Sequence, residues 1–179
     1  MPDRWGAEAL ETRGSMGLFL STYVNKVDKK GRVSVPSSFR GVLGGQTELI
    51  VFRSLQANAI DACSVDYMDR LSEALDNPNM PDDMRDLIET TVFGGSVRLA
   101  LDPEGRIVLP EAFIAFAGIT EGAAFVGRRH TFQIWDPDAL SAHEAASRDR
   151  SRAQNISLST ILARTNSVLA AGSNGGGAQ

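Results

Sequence analysis

The feature of this sequence that most constrains its fold is a ten-residue segment that occurs twice. Residues 27–36 read VDKKGRVSVP and residues 101–110 read LDPEGRIVLP, so Asp102 follows Asp28 by 102 − 28 = 74 positions. On this offset the aligned pairs are Asp28 and Asp102, Gly31 and Gly105, Arg32 and Arg106, Pro36 and Pro110, and Phe39 and Phe113. A repeat of this kind means that the fold contains the same unit twice, and the rest of the chain is interpreted from it.

Each copy has the residue pattern of a β-hairpin followed by a short helix. In the Asp-x-x-Gly turn, Asp caps the turn with its side chain and Gly supplies a positive φ. The return segment alternates in the way that is typical of a half-buried strand. Pro36 and Pro110 end these strands and suit the first position of a helix. The expected helices, with their buried aromatic residues and glycine stops, are 37–43 (Phe39, Gly44) and 111–117 (Phe113, Gly118).

Strand patterns follow each helix, so each unit is predicted as β-turn-β-α-β-turn-β. A unit of about 45 residues buries too little apolar surface to be stable alone. The two copies are therefore expected to pack on each other as a fused dimer would. The predicted class is α+β, with two pseudo-symmetric β-rich units joined by a helical segment. The later strands are expected at 48–52, 59–62, 123–126 and 131–135.

The segments around the repeats predict helices and irregular ends. A helical pair should pack across the sheet, its second member starting at Asp82 and stopping before Gly94. One face of that second helix is expected to carry Met84, Leu87, Ile88 and Thr91. Asp138 is expected to be the N-cap of a later Ala-rich helix. The predicted divisions are an N-terminal extension (1–16), a first domain (22–69), a helical linker (70–95), a second domain (96–139), a C-terminal helical segment (140–171) and a disordered tail (172–179).

Charge is unevenly distributed along the chain. The formal net charge of −4 argues weakly against a nucleic-acid partner. From residue 26 to residue 40, however, the cations Lys26, Lys29, Lys30, Arg32 and Arg40 face only one anion, Asp28. The acidic excess lies elsewhere, in residues 61–89 and near the amino end. The first hairpin is therefore a candidate basic footprint.

The remaining composition argues against enzymes, metalloproteins and membrane proteins. Cys63 is the sole cysteine, so it forms neither an intrachain disulfide nor a zinc site, and it is expected to be a small buried hydrophobe. His130 and His143 have no partners at ligand spacing, and no Gly-rich phosphate loop or catalytic set appears. We expect no cofactor, no metal and no small-molecule substrate. No apolar run of about 18 residues and no signal-peptide pattern occur, so a cytoplasmic protein without a membrane partner is expected.

The duplicated motif and the opening Met16-Gly17-Leu18-Phe19-Leu20-Ser21 resemble the MraZ family. Its members are tandem representatives of the SpoVT-AbrB, or swapped-hairpin, superfamily of bacterial DNA-binding proteins. The resemblance covers about residues 17–145. It implies a nucleoid-associated transcriptional regulator of double-stranded promoter DNA, bound at G-rich direct repeats upstream of the division and cell-wall gene cluster, its own gene included. It also implies a ring-like homo-oligomer.

Arg32 and Arg106 are the main candidates for DNA contact. The planar guanidinium of Arg can bond bidentately to O6 and N7 of guanine, or to phosphate. Asp28 and Asp102 can orient it. On spacing alone, however, a structural clip within the turn is favoured, because turn chemistry explains the Asp and the Gly completely. The resemblance favours the functional interpretation, because the Asp-x-x-x-Arg element is the DNA-contacting motif of that family.

The flanks of the two turns differ in charge. In the first copy, Lys29 and Lys30 are consistent with neutralisation of DNA phosphates. A solvated hairpin tip explains them about equally well. The second copy has Pro103 and Glu104 there instead, which lowers the share of DNA affinity expected from it. Gly31, Gly105, Pro36 and Pro110 are expected to shape the turns and start the helices.

Two other functions remain open on the residues alone. One is an antitoxin-like or transition-state regulator of the same superfamily with a different operator, although such proteins usually carry one copy per chain. The other is an oligomeric scaffold whose hairpins bind protein rather than DNA. A steep fall of duplex binding with salt distinguishes DNA binding from the scaffold.

Overall fold

The computed structural model describes residues 17–172, with side-chain surroundings given for 17–165. The N-terminal extension and the tail after Gly172 lie outside the described residues. The strands are β1 (Thr22–Lys26), β2 (Arg32–Ser34), β3 (Glu48–Arg53), β4 (Ile60–Cys63), β5 (Val97–Ala100), β6 (Arg106–Val108), β7 (Gly122–Arg128) and β8 (Thr131–Trp135). The helices are α1 (Ser37–Val42), α2 (Val65–Leu75), α3 (Asp82–Ile88), α4 (Glu111–Ala117), α5 (Pro137–Ala153) and α6 (Leu158–Gly172).

Strands from both repeats are interleaved in one sheet. The order of the six-stranded antiparallel sheet is β1-β7-β8-β4-β3-β5, so each edge strand pairs with a strand of the other copy. Strands β2 and β6, also from different copies, form a separate two-stranded ribbon. If each strand is replaced by its equivalent in the other copy, the order read from the opposite edge is the same. The predicted α+β class with pseudo-symmetric swapped hairpins is confirmed.

The main core lies between the ribbon and one face of the sheet. Val33 and Ile107 of the ribbon are each 1% exposed, and Phe39 of α1 is fully buried. The aromatic residues Phe113, Phe132 and Trp135, interpreted from the sequence as core rather than base-stacking groups, are buried as well. Because both copies supply this core, neither copy encloses a complete core by itself.

The helical pair α2 and α3 packs on the opposite face of the sheet, as predicted. Along β3, Leu49 and Val51 belong to the main core, while Ile50 and Phe52 contact this second cluster. Cys63 lies in the same cluster and is fully buried. Burial raises the pKa of its thiol to about 12, with a smaller contribution from nearby Asp61. The expectation of a small buried hydrophobe is confirmed.

The apolar face predicted for α3 is wrong in part. Met84 is 50% exposed and Leu87 is 52% exposed, whereas Ile88 packs against the second cluster. Only the C-terminal end of this segment reaches the second cluster, where a π-helical turn, Glu89–Phe93, follows α3 directly. Its wider winding changes the direction of the later side chains and buries Val92.

Helices α1 and α4 begin where the sequence predicts, at Ser37 and Glu111. Pro36 and Pro110 are their N-caps, with ψ of 139° and 142°, and not their first helical residues. The extended ψ lets each proline carbonyl accept the first helical N–H bond, from Arg40 and from Ile114. Gly118 ends α4 in the left-handed conformation, as expected.

The chain divides into two compact units at Pro137 and Asp138. The second unit consists of α5 and α6, separated by a turn in which Asn155 has a positive φ of 49°. Asp138 lies in the first turn of α5 and not before it, because the helix begins at Pro137. Among residues 17–172, no helix has the length and apolarity needed to cross a membrane.

Candidate nucleic-acid interface

The first turn is organised by the carboxylate of Asp28. Its Oδ1 accepts hydrogen bonds from the backbone N–H groups of Lys30 and Arg32, each at 2.9 Å. Its Oδ2 accepts one from Nε of Arg32 at 2.7 Å. Gly31 closes the turn with a φ of 76°, where its N–H donates to the Asp28 carbonyl. One side chain therefore fixes both the turn and the direction of the arginine fork.

The second turn repeats this geometry. Oδ1 of Asp102 accepts from the N–H groups of Glu104 at 3.0 Å and Arg106 at 2.9 Å, and Oδ2 accepts from Nε of Arg106 at 2.7 Å. Gly105 has a φ of 75°. The sequence repeat is thus also a repeat of hydrogen bonds.

These bonds keep both aspartates ionised. The backbone N–H of Arg32, and then its side chain, lowers the pKa of Asp28, and the backbone N–H of Arg106 does the same for the pKa of Asp102. The bond from Asp102 in turn raises the pKa of Arg106. Because the folded-state pKa values of the aspartates are depressed, their stabilisation is present above the unfolded value of about 4 and is lost as the pH falls through the lower folded value.

The ribbon presents both arginines on one exposed face. Arg32 lies opposite Val108, and Ser34 lies opposite Arg106. Directly opposed residues share a face, so all four side chains point away from the core while Val33 and Ile107 point into it. Arg32 and Arg106 are diagonal neighbours, for which Cβ atoms are typically roughly 7–8 Å apart. The two forks therefore lie close together on one surface.

Each turn is also tied to the other copy. The N–H of Leu109 donates to the carbonyl of Gly31 at 2.9 Å, and the N–H of Val35 donates to that of Gly105 at 3.0 Å. A Cβ atom at Gly31 would lie 2.8 Å from the Leu109 carbonyl oxygen, so a side chain there has no room. The crossed bonds fix the spacing between the two turns.

Helices α1 and α4 place equivalent residues against the turns of the opposite copy. The methyl end of Ile114 lies near Gly31, and the guanidinium of Arg40 lies against Gly105. Positions 40 and 114 are themselves 114 − 40 = 74 residues apart. From the sequence alone, Arg40 counts only as one of the basic residues near the first turn. The repeat offset could have identified this role, because position 40 corresponds to Ile114, a residue that covers a turn.

The structure therefore brings the predicted site residues together at two turns of unequal charge. Lys29 and Lys30 are exposed on the first turn, whereas Glu104 is exposed on the second and accepts from Nη2 of Arg106 at 2.7 Å. Arg40 adds a cation beside the second turn. Within the described part of the chain, no group of three or more His, Cys, Asp or Glu side chains is arranged to hold a metal ion.

Comparison with known proteins gives a consistent set of relatives. Residues 92–159 match the family model described as "MraZ protein, putative antitoxin-like". The chain is similar to "Transcriptional regulator MraZ" of Rickettsia akari (strain Hartford), with 38% identity over 145 residues that cover 80% of this chain and 97% of that protein. The protein of the same name from Rickettsia felis is 41% identical over 124 residues, covering 68% of this chain and 83% of the relative. That from Rickettsia typhi is 35% identical over 148 residues, covering 82% and 99%.

Proposed function

This chain belongs to the MraZ family of transcriptional regulators, and we propose that it regulates transcription by binding double-stranded DNA through its two Asp-x-x-x-Arg turns. One observation carries the proposal. Asp28 holds Nε of Arg32, and no hydrogen bond among the side chains described for residues 17–165 engages the two terminal nitrogens of that side chain. The fork is thus pre-oriented on an exposed face, with the N–H groups of both terminal nitrogens available to a partner.

The ligand that fits this fork is a guanine-rich duplex. Two parallel N–H donors match O6 and N7 of guanine in the major groove, which is the commonest specific contact made by arginine. On the family resemblance we propose that the sites are direct repeats upstream of the division and cell-wall gene cluster, including the chain's own gene. The role is binding without catalysis, and it is exercised in the cytoplasm on the nucleoid.

We further propose that the protein acts as a homo-oligomer, ring-like on the family resemblance. The edge strand β1 exposes Val24 at 60%, and Leu20 just before it at 61%. An open edge with apolar side chains is a surface that natural proteins normally cover. Light scattering at micromolar concentration is expected to give several times the mass of the 19.2 kDa chain. A monomer mass under these conditions contradicts the oligomer.

The proposed function is tested by titrating the whole protein against duplexes. One duplex carries guanine-rich direct repeats from the chain's own upstream region, and the control is the same length scrambled. Tight binding to the first and weak, steeply salt-dependent binding to the second support regulation through DNA. Equal and salt-independent binding to both would favour a protein-binding scaffold.

The double variant Lys29→Ala/Lys30→Ala is expected to flatten the salt dependence. Each phosphate contact contributes about 0.9 to the slope of log K against log salt, so two lysines contribute about 1.8 for each engaged first turn. Arg70→Ala is the control, because Arg70 is exposed on α2, on the opposite face of the sheet. A slope unchanged by the lysine variant, or flattened equally by Arg70→Ala, would show that these tips do not face DNA.

A further inference from the structure

The two arginine forks are not in the same state, although their turns are nearly identical. On Arg32 the aspartate engages Nε, and in the described residues neither terminal nitrogen is bonded. On Arg106 the aspartate engages Nε and Glu104 engages Nη2 at 2.7 Å as well. The second fork is thus held by two carboxylates and the first by one.

The difference comes from a single side chain. Position 104 corresponds to Lys30, since 104 − 30 = 74, and the backbone N–H of either residue donates to the aspartate of its own turn. The backbone therefore presents both side chains in the same way beside the fork. A lysine there leaves the arginine free, whereas a glutamate binds it.

The chemistry of base recognition makes this difference consequential. With Nε already committed to aspartate, bidentate bonding to O6 and N7 of guanine must use the terminal nitrogens. The Glu104 carboxylate accepts from Nη2, one of the two terminal nitrogens, and its charge repels the guanine acceptors and the phosphates. The ion pair therefore competes with a base for Arg106.

We propose that Glu104 is a specificity-determining residue, a latch that holds Arg106 out of base recognition so that the first turn does most of the reading. The proposal rests on the proposed function, since it needs the turns to face DNA. Arg40, which lies against Gly105, then supplies the cation with which the latched turn still attracts the backbone.

A double-mutant cycle on the full chain tests the latch. The measured quantity is the ratio of affinities for the guanine-rich and scrambled duplexes, in wild type and in Glu104→Ala, each with and without Arg106→Ala. We expect Arg106→Ala to lower the wild-type ratio by a smaller factor than Arg32→Ala does, because Glu104 competes with the base for the Arg106 fork. In the Glu104→Ala background the same change should cost roughly 5- to 150-fold, the value of one bidentate pair.

The internal repeat supplies the matched control. Lys30→Glu installs the same carboxylate on the first turn and is expected to reduce the effect of Arg32→Ala, whereas Lys30→Ala is not. Circular dichroism confirms that each variant is folded.

The outcomes distinguish a failure of the latch from a failure of the proposed function. If Glu104→Ala raises affinity by the same factor with and without Arg106, the glutamate acts by repulsion alone and the latch is wrong, while the proposed function stands. If wild type shows no preference between the duplexes and Arg32→Ala changes nothing, the proposed function itself fails.

Discussion

Arg32→Ala is expected to abolish the preference for guanine-rich sites while leaving the fold intact. The side chain is 42% exposed and makes a salt bridge to Asp28. The bonds that close the turn involve only the backbone of Arg32. Removing the side chain should change the free energy of unfolding by no more than about 0.5 kcal/mol. The loss of a bidentate contact to guanine costs about 1–3 kcal/mol of discrimination. An oligomer that engages several repeats loses this contact at each of them, so the penalties accumulate.

The informative control for that variant is Arg32→Lys. Lysine keeps the positive charge but has no planar fork, so a phosphate contact survives and a base contact does not. Equal thermal stability of the two variants is checked first. If Arg32→Lys retains the full preference for the guanine-rich duplex over the scrambled one, Arg32 contacts phosphate and the assignment to base recognition is wrong.

Phe39→Ala is expected to lower the free energy of unfolding by about 3–5 kcal/mol. The ring is fully buried, and its centroid lies 5.3 Å from that of Phe19 and 5.1 Å from that of Phe132. Phe132 belongs to the second copy, as does Phe125 at 6.5 Å. A cavity at this position therefore removes contacts from both copies at once.

Chemical denaturation followed by tryptophan fluorescence and by circular dichroism measures this effect. Both signals are expected to shift together in one transition, because the copies share a core. Leu87→Ala is the control, since Leu87 is 52% exposed, and it should change stability by no more than about 0.5 kcal/mol. Two separated transitions, only one of them moved by Phe39→Ala, would show that the copies unfold independently.

Much of this fold is readable from local sequence signals. The Asp-x-x-Gly turns, the helix Glu111–Ala117 with its stop at Gly118, and the strand Thr131–Trp135 follow from spacing, capping and turn chemistry that act within a few residues. The repeat offset adds long-range information that a single copy lacks. It shows that equivalent positions of the two copies surround the two turns.

Strand partners and side-chain contacts are not readable in this way. The alternation in β1 is satisfied equally by a partner from its own copy or from the other copy, so periodicity alone does not select β7. The ion pair of Glu104 with Arg106 depends on a rotamer, and the position of Arg40 against Gly105 depends on how α1 meets the opposite hairpin. The π-helical turn after α3 has no turn signal of its own in the sequence.

The interleaved strand order has a consequence for folding during translation. Thr22 pairs with Val126, which the ribosome adds 126 − 22 = 104 residues later. At about 5–20 residues per second, β1 waits roughly 5–20 s for its partner, and contacts so distant in sequence also form slowly. A nascent chain that has released only its first copy therefore exposes unpaired strands that match those of a neighbouring nascent chain. Translation that pauses before Gly122 is expected to favour exchange of hairpins between chains over closure within one.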